Sequence, residues 1–208
     1  MLNSTRSELL DDIVKKIQNI IILLVILTSC LGFSQIETDS SSFQKIKILQ
    51  KMGPTKEAIY DLIGKELPEF DLLNINGQKV NSNLLKGKPT LINFWFDSCA
   101  PCIEEIPILN EIKSNLKDVN FIAITFQDKN QVSEFLEQKE FNFTHLIGAE
   151  DYLNSFGLFG YPKTLLLDKN LVVLGIEKMI PKDPSDKKKN TENFKNRIIN
   201  VLTELKQP

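Results

Sequence analysis

The sequence is poor in the side chains from which metal sites are built. Its 208 residues contain three cysteines and a single histidine, His145. A structural zinc site takes about four cysteine or histidine ligands, so we expect no resident metal. The net charge of −2 and the scattered lysines provide no basic face, which argues against a nucleic-acid partner. Hydrophobic residues at 42% and charged residues at 25% are typical of a soluble globular chain.

The N-terminal segment has a composition of its own. Lys15 and Lys16 precede an uncharged stretch, residues 17–36, whose apolar centre is IIILLVIL. This order is typical of a secretory signal, and the apolar centre is shorter than the ~20 residues of a transmembrane helix. We prefer cleavage before Gln35. Lipidation at Cys30, within Leu-Thr-Ser-Cys, and an uncleaved membrane anchor are alternatives, and all three export the remaining chain.

The chain is therefore predicted to have three parts. Residues 1–34 are a signal peptide or a membrane or lipid anchor, residues 35–62 a linker with a short helical segment, and residues 63–208 one folded domain. In that domain Asn76-Gly77 lies between two alternating stretches and predicts a β-hairpin. Strand and helix patterns then alternate, which predicts an α/β fold with a central mixed sheet flanked by helices. The lysine-rich residues 181–190 are predicted to be a solvated loop.

Two of the three cysteines lie in the stretch FWFDSCAPC, at the end of a predicted buried strand. Pro101, between Cys99 and Cys102, is suited to the first turn of a helix. A helix N-terminus favours a thiolate, so we expect a lowered pKa and the attacking role for Cys99. Cys102 is then the resolving thiol. A bridge across two intervening residues closes almost no loop, which indicates a chemical purpose; an inert bridge is the alternative.

Residues 63–205 resemble the TlpA-like, or ResA-like, branch of the thioredoxin superfamily. The resemblance is carried by GKELPEFDLLNINGQKV, GKPTLINFWF, CAPCIEEIP and FGLFGYPKTLLLDKN. It implies a thioredoxin-like fold with an N-terminal β-hairpin extension. The family pattern C-x-x-C-x-x-E-x-P is met by Cys99, Cys102, Glu105 and Pro107. The sequence departs from the family at Ser98, where a tryptophan is usual.

The resemblance also implies roles for residues around the cysteines. Pro162 should follow a cis peptide bond and hold the Tyr161 backbone against the disulfide, where a substrate strand can pair. Glu105 should exchange a proton with Cys102 if burial raises its pKa; a solvated helix carboxylate is the alternative. The residues expected to contact the substrate are Trp95, Ala100, Pro101 and Tyr161, with Trp95 otherwise packed in the core.

We therefore expect a thiol-disulfide oxidoreductase exported to the bacterial envelope, periplasmic and either secreted or lipid-anchored. It would reduce disulfides of envelope proteins, including apocytochromes c, with electrons from a membrane thiol donor and no bound cofactor. Two alternatives stay open. A peroxiredoxin-like peroxidase usually needs an arginine, and Arg197 alone follows the signal. A copper-binding module would use Cys99, Cys102 and His145 as ligands.

Overall fold

A computed structural model of the chain describes residues 57–183 and 185–205, together with Gln18. The chain divides into two units, Met1–Thr55 and Lys56–Pro208, and the description below concerns the second. The predicted signal or anchor and most of the predicted linker lie outside the described residues.

Seven strands form one mixed sheet in the order β2-β1-β5-β4-β3-β6-β7. β3 pairs in parallel with β4, and β4 with β5, whereas the remaining pairs are antiparallel. The predicted central mixed sheet and the N-terminal hairpin are confirmed, since β1 and β2 pair with each other and extend the sheet at β5. The strands are β1 (Asp71–Asn74), β2 (Lys79–Asn81), β3 (Thr90–Phe94), β4 (Asn120–Ile124), β5 (Thr144–Ile147), β6 (Lys163–Leu167) and β7 (Val173–Glu177).

Within residues 57–183 and 185–205, four α-helices accompany the sheet: α1 (Ala100–Asn115), α2 (Lys129–Gln138), α3 (Glu150–Asn154) and α4 (Lys187–Glu204). α1 joins the parallel strands β3 and β4, and α2 joins β4 and β5. Short 3₁₀ helices span Ala58–Leu62 and Ser82–Leu85. In the described part of the chain no helix combines the length and apolarity needed to cross a membrane.

Strand β3 is the centre of the domain, and all five of its residues are buried. Because side chains alternate across a strand, it contributes to two separate cores. Leu91 packs with α1 and α4 on one face, whereas Ile92 and Phe94 pack on the other face with the 3₁₀ segment around Ile59. The nearly continuous apolar sequence of β3 follows from this double burial. Its C-terminal end is thereby held in a fixed place, and the cysteines follow it directly.

The structure corrects one prediction about the C-terminal part. The stretch 181–190 was predicted to be a solvated loop, but α4 begins within it, at Lys187. Lysine is a good helix former, and the three lysines at 187–189 are exposed. These lysines therefore extend the amphipathic helix by one turn that has no buried residue. The apolar periodicity of the sequence does not indicate this first turn.

Candidate active site

Cys99 and Cys102 form a disulfide at the junction of β3 and α1, with an S–S distance of 2.01 Å. Cys99 is the N-cap of α1, and Pro101 lies in the first turn. The Cys99 Sγ accepts a hydrogen bond of 3.3 Å from the Cys102 backbone N–H, one of the N–H groups that a helix start leaves unpaired. Donors at a helix start favour a thiolate over a thiol in general, which is consistent with the attacking role predicted for Cys99.

Exposure alone does not distinguish the two cysteines in the disulfide form. Cys99 is 5% exposed and Cys102 is 3% exposed. Their chain neighbours differ, however: Ser98 and Ala100 on either side of Cys99 are exposed, whereas Pro101 and Ile103 beside Cys102 are half-buried. Cys99 therefore lies at the surface end of the pair and Cys102 on its inner side.

The loop between β3 and α1 is held at two points. The Asp97 backbone N–H donates to the Gln127 side-chain Oε1 at 2.8 Å, and the Cys99 N–H donates to the Phe96 carbonyl at 3.2 Å. Gln127 is itself 4% exposed and follows β4, the parallel neighbour of β3. The adjacent strand thus fixes the approach to Cys99, as expected for a site at the carboxyl end of a sheet.

Glu105 is buried beneath the disulfide, with 2% of the residue exposed. It lies on the buried face of α1 together with Cys102, and the alternative of a solvated carboxylate is therefore wrong. Its Oε1 accepts a hydrogen bond of 2.9 Å from the Ile180 N–H, while within the described chain Oε2 is buried with no hydrogen-bond partner. Burial raises the pKa of Glu105 to about 7.

Charged neighbours act on Glu105 in both directions. After burial, the Ile180 N–H is the next largest influence and lowers the pKa; the charges of Glu177 and Glu104 raise it, and that of Lys163 lowers it. Each of these glutamates has a cationic partner of its own. Arg197 binds Glu177 through two hydrogen bonds of 2.9 and 2.7 Å, and Lys182 pairs with Glu104 at 3.0 Å. Arg197 is thus paired with a carboxylate.

Tyr161-Pro162 is a cis peptide, as the resemblance implied. Pro162 is buried and immediately precedes β6, the antiparallel neighbour of β3. Half-buried Tyr161 makes ring contacts with Phe96 at 5.3 Å and Phe159 at 4.9 Å between centroids. The Tyr161 backbone N–H and C=O make no hydrogen bond within the described residues.

Two predicted residues lie away from the surface. Trp95 is fully buried, with its ring against Phe135, Phe141 and His145. The prediction that Trp95 contacts the substrate is therefore wrong. Trp95 directly follows the last residue of β3, and its side chain packs into the core around α1. Ala100 is exposed and Pro101 half-buried at the start of α1, where a substrate could reach both.

His145 does not join the cysteines in a metal site. It is 3% exposed, its Nε2 lies 2.8 Å from the Phe141 carbonyl oxygen, and burial lowers its pKa. No group of three metal-ligating side chains occurs among the residues that the structure describes. The copper-binding alternative required Cys99, Cys102 and His145 at one ion, and this arrangement does not support it.

Sequence reasoning missed two charged residues close to Pro162. Lys163 is 5% exposed, although lysine is rarely buried, and its Nζ lies 3.2 Å from Glu57 Oε2. The two residues are 106 positions apart, so no local spacing signals the pair. The one hint is a lysine two residues before the apolar run Leu165–Leu167 in KTLLLD.

Comparisons with known proteins agree with this geometry. Residues 63–176 match the model of the AhpC/TSA family. The chain belongs to the AhpC/TSA family. It is 29% identical over 154 residues to the thiol-disulfide oxidoreductase ResA of Bacillus cereus, covering 72% of this chain and 80% of ResA.

Solved structures with the same fold include oxidoreductases. One is the thioredoxin domain of a thiol-disulfide oxidoreductase from Bacteroides vulgatus, with a TM-score of 0.52, 22% identity, and coverage of 64% of this chain and 96% of that one. Another is a secreted Mycobacterium tuberculosis disulfide oxidoreductase homologous to E. coli DsbE, with a TM-score of 0.52, 19% identity, and coverage of 65% and 96%. This AhpC/TSA family member has the thioredoxin fold and is a thiol-disulfide oxidoreductase of the ResA type.

The raised pKa of Glu105 predicts a pH-dependent difference in stability. Its folded pKa of about 7 exceeds the ordinary 4.5, so the native state binds the extra proton. The associated stabilisation is complete below pH ~4.5 and is lost as pH rises through ~7. The side chain introduced in Glu105→Gln does not titrate. The free energy of unfolding of the oxidised variant, relative to that of oxidised wild type, should therefore rise by on the order of 3 kcal/mol as the pH increases from 5 to 8.

Urea denaturation across this pH range measures the difference. Glu111→Gln, which removes one negative charge from an exposed position of the same helix that does not contribute to the pKa shift of Glu105, is the matched control. Wild-type and Glu105→Gln curves that stay parallel from pH 5 to 8 would contradict the raised pKa.

Proposed function

We propose that the protein is exported and reduces disulfides of envelope proteins through its Cys-Ala-Pro-Cys site. The observation that carries this proposal is the Cys99–Cys102 disulfide at the start of α1, with the buried carboxyl of Glu105 on the same helix face. The residues between the cysteines are uncharged and add no cation to the helix N-terminus. A reductive direction, with apocytochromes c among the substrates, is consistent with this.

The reaction is two successive thiol-disulfide exchanges. In the first, the Cys99 thiolate attacks a substrate disulfide; a bond forms between Cys99 and one substrate sulfur, and the other substrate sulfur leaves as a thiolate. In the second, Cys102 loses its proton to Glu105 and attacks the Cys99 sulfur. This releases the second substrate thiol and forms Cys99–Cys102, so the substrate gains two electrons and the enzyme loses them.

The cycle then needs an external dithiol that reduces the Cys99–Cys102 disulfide. A membrane dithiol donor would restore the two thiols and become a disulfide itself, so electrons balance without a bound cofactor. Glu105, with a pKa of about 7, is present in both protonation states near neutral pH. It can therefore accept the Cys102 proton in one half of the cycle and return a proton in the other.

The substrate is proposed to dock as an extended segment beside Tyr161. The free N–H and C=O of Tyr161 can pair with its backbone, while Ala100, Pro101 and the Tyr161 ring border the reacting sulfur. A peroxidase is not favoured, because Arg197 is bound to Glu177. Copper binding is not favoured because His145 is packed in the aromatic core.

Trapping in the native envelope tests the reaction and the roles of the cysteines. Cys102→Ala leaves the attacking thiolate without a resolving partner, so mixed disulfides with substrate proteins should accumulate on Cys99. Non-reducing electrophoresis and mass spectrometry would detect and identify them. Cys99→Ala is the matched control and should trap none; adducts on Cys102 of that variant, with none on Cys99, would reverse the assignment.

Proton transfer through Glu105 is tested by Glu105→Gln in the reduced enzyme. The first attack by Cys99 should change little, whereas resolution by Cys102 should slow by the ~10²–10⁴-fold associated with general acid–base catalysis. Acid-quenched stopped-flow exchange with a peptide disulfide, from pH 5 to 9, should then show an accumulating mixed disulfide. With Glu111→Gln as control, no accumulation and an unchanged pH profile for Glu105→Gln would rule out the proton transfer.

Export by simple cleavage before Gln35 makes Cys30 dispensable. Intact-mass measurement of the protein from envelope fractions should give the same mature species for wild type and Cys30→Ser, because both lose residues 1–34. Accumulation of the unprocessed precursor in Cys30→Ser would instead indicate that Cys30 is lipidated.

A further inference from the structure

Both polar groups of the Gly160 backbone are held by one ion pair, in which the side chain of Lys163 is 6% exposed and that of Glu57 is 31% exposed. The Gly160 N–H donates to Glu57 Oε1 at 2.7 Å, and the Gly160 carbonyl accepts from Lys163 Nζ. Lys163 Nζ in turn lies 3.2 Å from Glu57 Oε2. The three residues therefore form a closed ring of contacts around the residue that precedes Tyr161.

This ring controls the orientation of the next peptide group. The Gly160 carbonyl and the Tyr161 N–H belong to the same planar peptide unit, in which they point in opposite directions. A lysine ammonium that holds the carbonyl therefore also fixes the direction of the Tyr161 N–H. That N–H makes no hydrogen bond within the described part of the chain, so its direction decides whether an incoming strand can pair with it.

Both members of the ion pair are fixed in place. Lys163 begins β6 opposite Phe94, and its side chain is 6% exposed; a buried ammonium needs a partner of opposite charge. Glu57 directly precedes the 3₁₀ segment Ala58–Leu62, whose Ile59 is fully buried in the core on that face of the sheet. The segment that packs there thus brings a carboxylate to the loop before Pro162.

We propose that Glu57 and Lys163 are positioning residues for substrate docking, and that they hold the Gly160–Tyr161 peptide in the orientation that a protein disulfide segment requires. The proposal rests on the proposed function, because it concerns the docking backbone of the same site. It assigns a role in substrate binding to a residue outside the stretch 63–208. A small disulfide that reacts at Cys99 without strand pairing should not depend on this orientation.

The positioning role of Glu57 and Lys163 is tested by measuring the steady-state reduction of two disulfide substrates by enzyme that is continuously re-reduced. Insulin has disulfides within a polypeptide and needs docking, whereas hydroxyethyl disulfide has no backbone to pair. For Glu57→Ala we expect the KM for insulin to rise about 5- to 10-fold, the loss expected for one or two hydrogen bonds. The kcat for insulin and the rate with hydroxyethyl disulfide should stay within about twofold of wild type.

Two further variants separate positioning from general stability. Glu66→Ala removes an ion pair of the same N-terminal region, with Lys86 at 2.8 Å, and should leave the insulin KM unchanged. Glu57→Gln keeps an oxygen that can accept from Gly160, so its KM should lie between those of wild type and Glu57→Ala. Urea midpoints measured in parallel identify any variant whose loss follows from unfolding.

The outcomes distinguish this inference from the proposed function. If wild type reduces both probes but Glu57→Ala gives the same KM as Glu66→Ala, or loses activity equally with both probes, the positioning role is wrong and the oxidoreductase stands. If wild type reduces neither probe, the proposed function fails, and the inference fails with it.

Discussion

The hydrogen bond from the Cys102 N–H to the Cys99 sulfur is the interaction on which the site depends. It exists because a strand buried on both faces ends where a helix begins, so that Cys99 occupies the N-cap of α1. An N-cap normally accepts through oxygen; with sulfur there, the same unpaired N–H groups lower the cost of a thiolate. The double burial of β3 thus has a chemical consequence five residues beyond its end, at Cys99.

The environment of Glu105 disfavours negative charge, whereas a helix N-terminus favours it. Desolvation penalises its charged form, and the single donor at Oε1 does not compensate fully. Since Glu177 and Glu104 are each paired with a cation at the surface, burial remains the main cause of its raised pKa. One helix therefore carries Cys99 at its N-terminus, beside the unpaired N–H groups of the first turn, and Glu105 one turn past Cys102, where burial destabilises the charged form.

The parts of this arrangement that could be predicted from the sequence are those encoded by neighbours in the chain. The hairpin at Asn76-Gly77, the strand before Cys99 and the spacing of Cys99, Cys102 and Glu105 are local, and the structure has them. The Ile180 donor to Glu105 and the Glu57–Lys163 pair join residues 75 and 106 positions apart, and no periodicity reports such contacts. Trp95 lies on the same face of the sheet as Leu91, as the alternation of β3 predicts, and the expected substrate contact fails because the core around α1 covers that face.

The buried Lys163 connects the two sides of the site. It holds the Gly160 carbonyl next to the docking backbone, and its charge also lowers the pKa of Glu105. Glu57 screens that charge, because it is the carboxylate in direct contact with the ammonium. A displacement of Glu57 would therefore act mainly on docking, because the Tyr161 peptide would lose its fixed orientation, whereas the charge of Lys163 is the weakest of the influences on the pKa of Glu105 described above. The lysine that holds the docking backbone thus has its partner at Glu57, just before the 3₁₀ segment Ala58–Leu62.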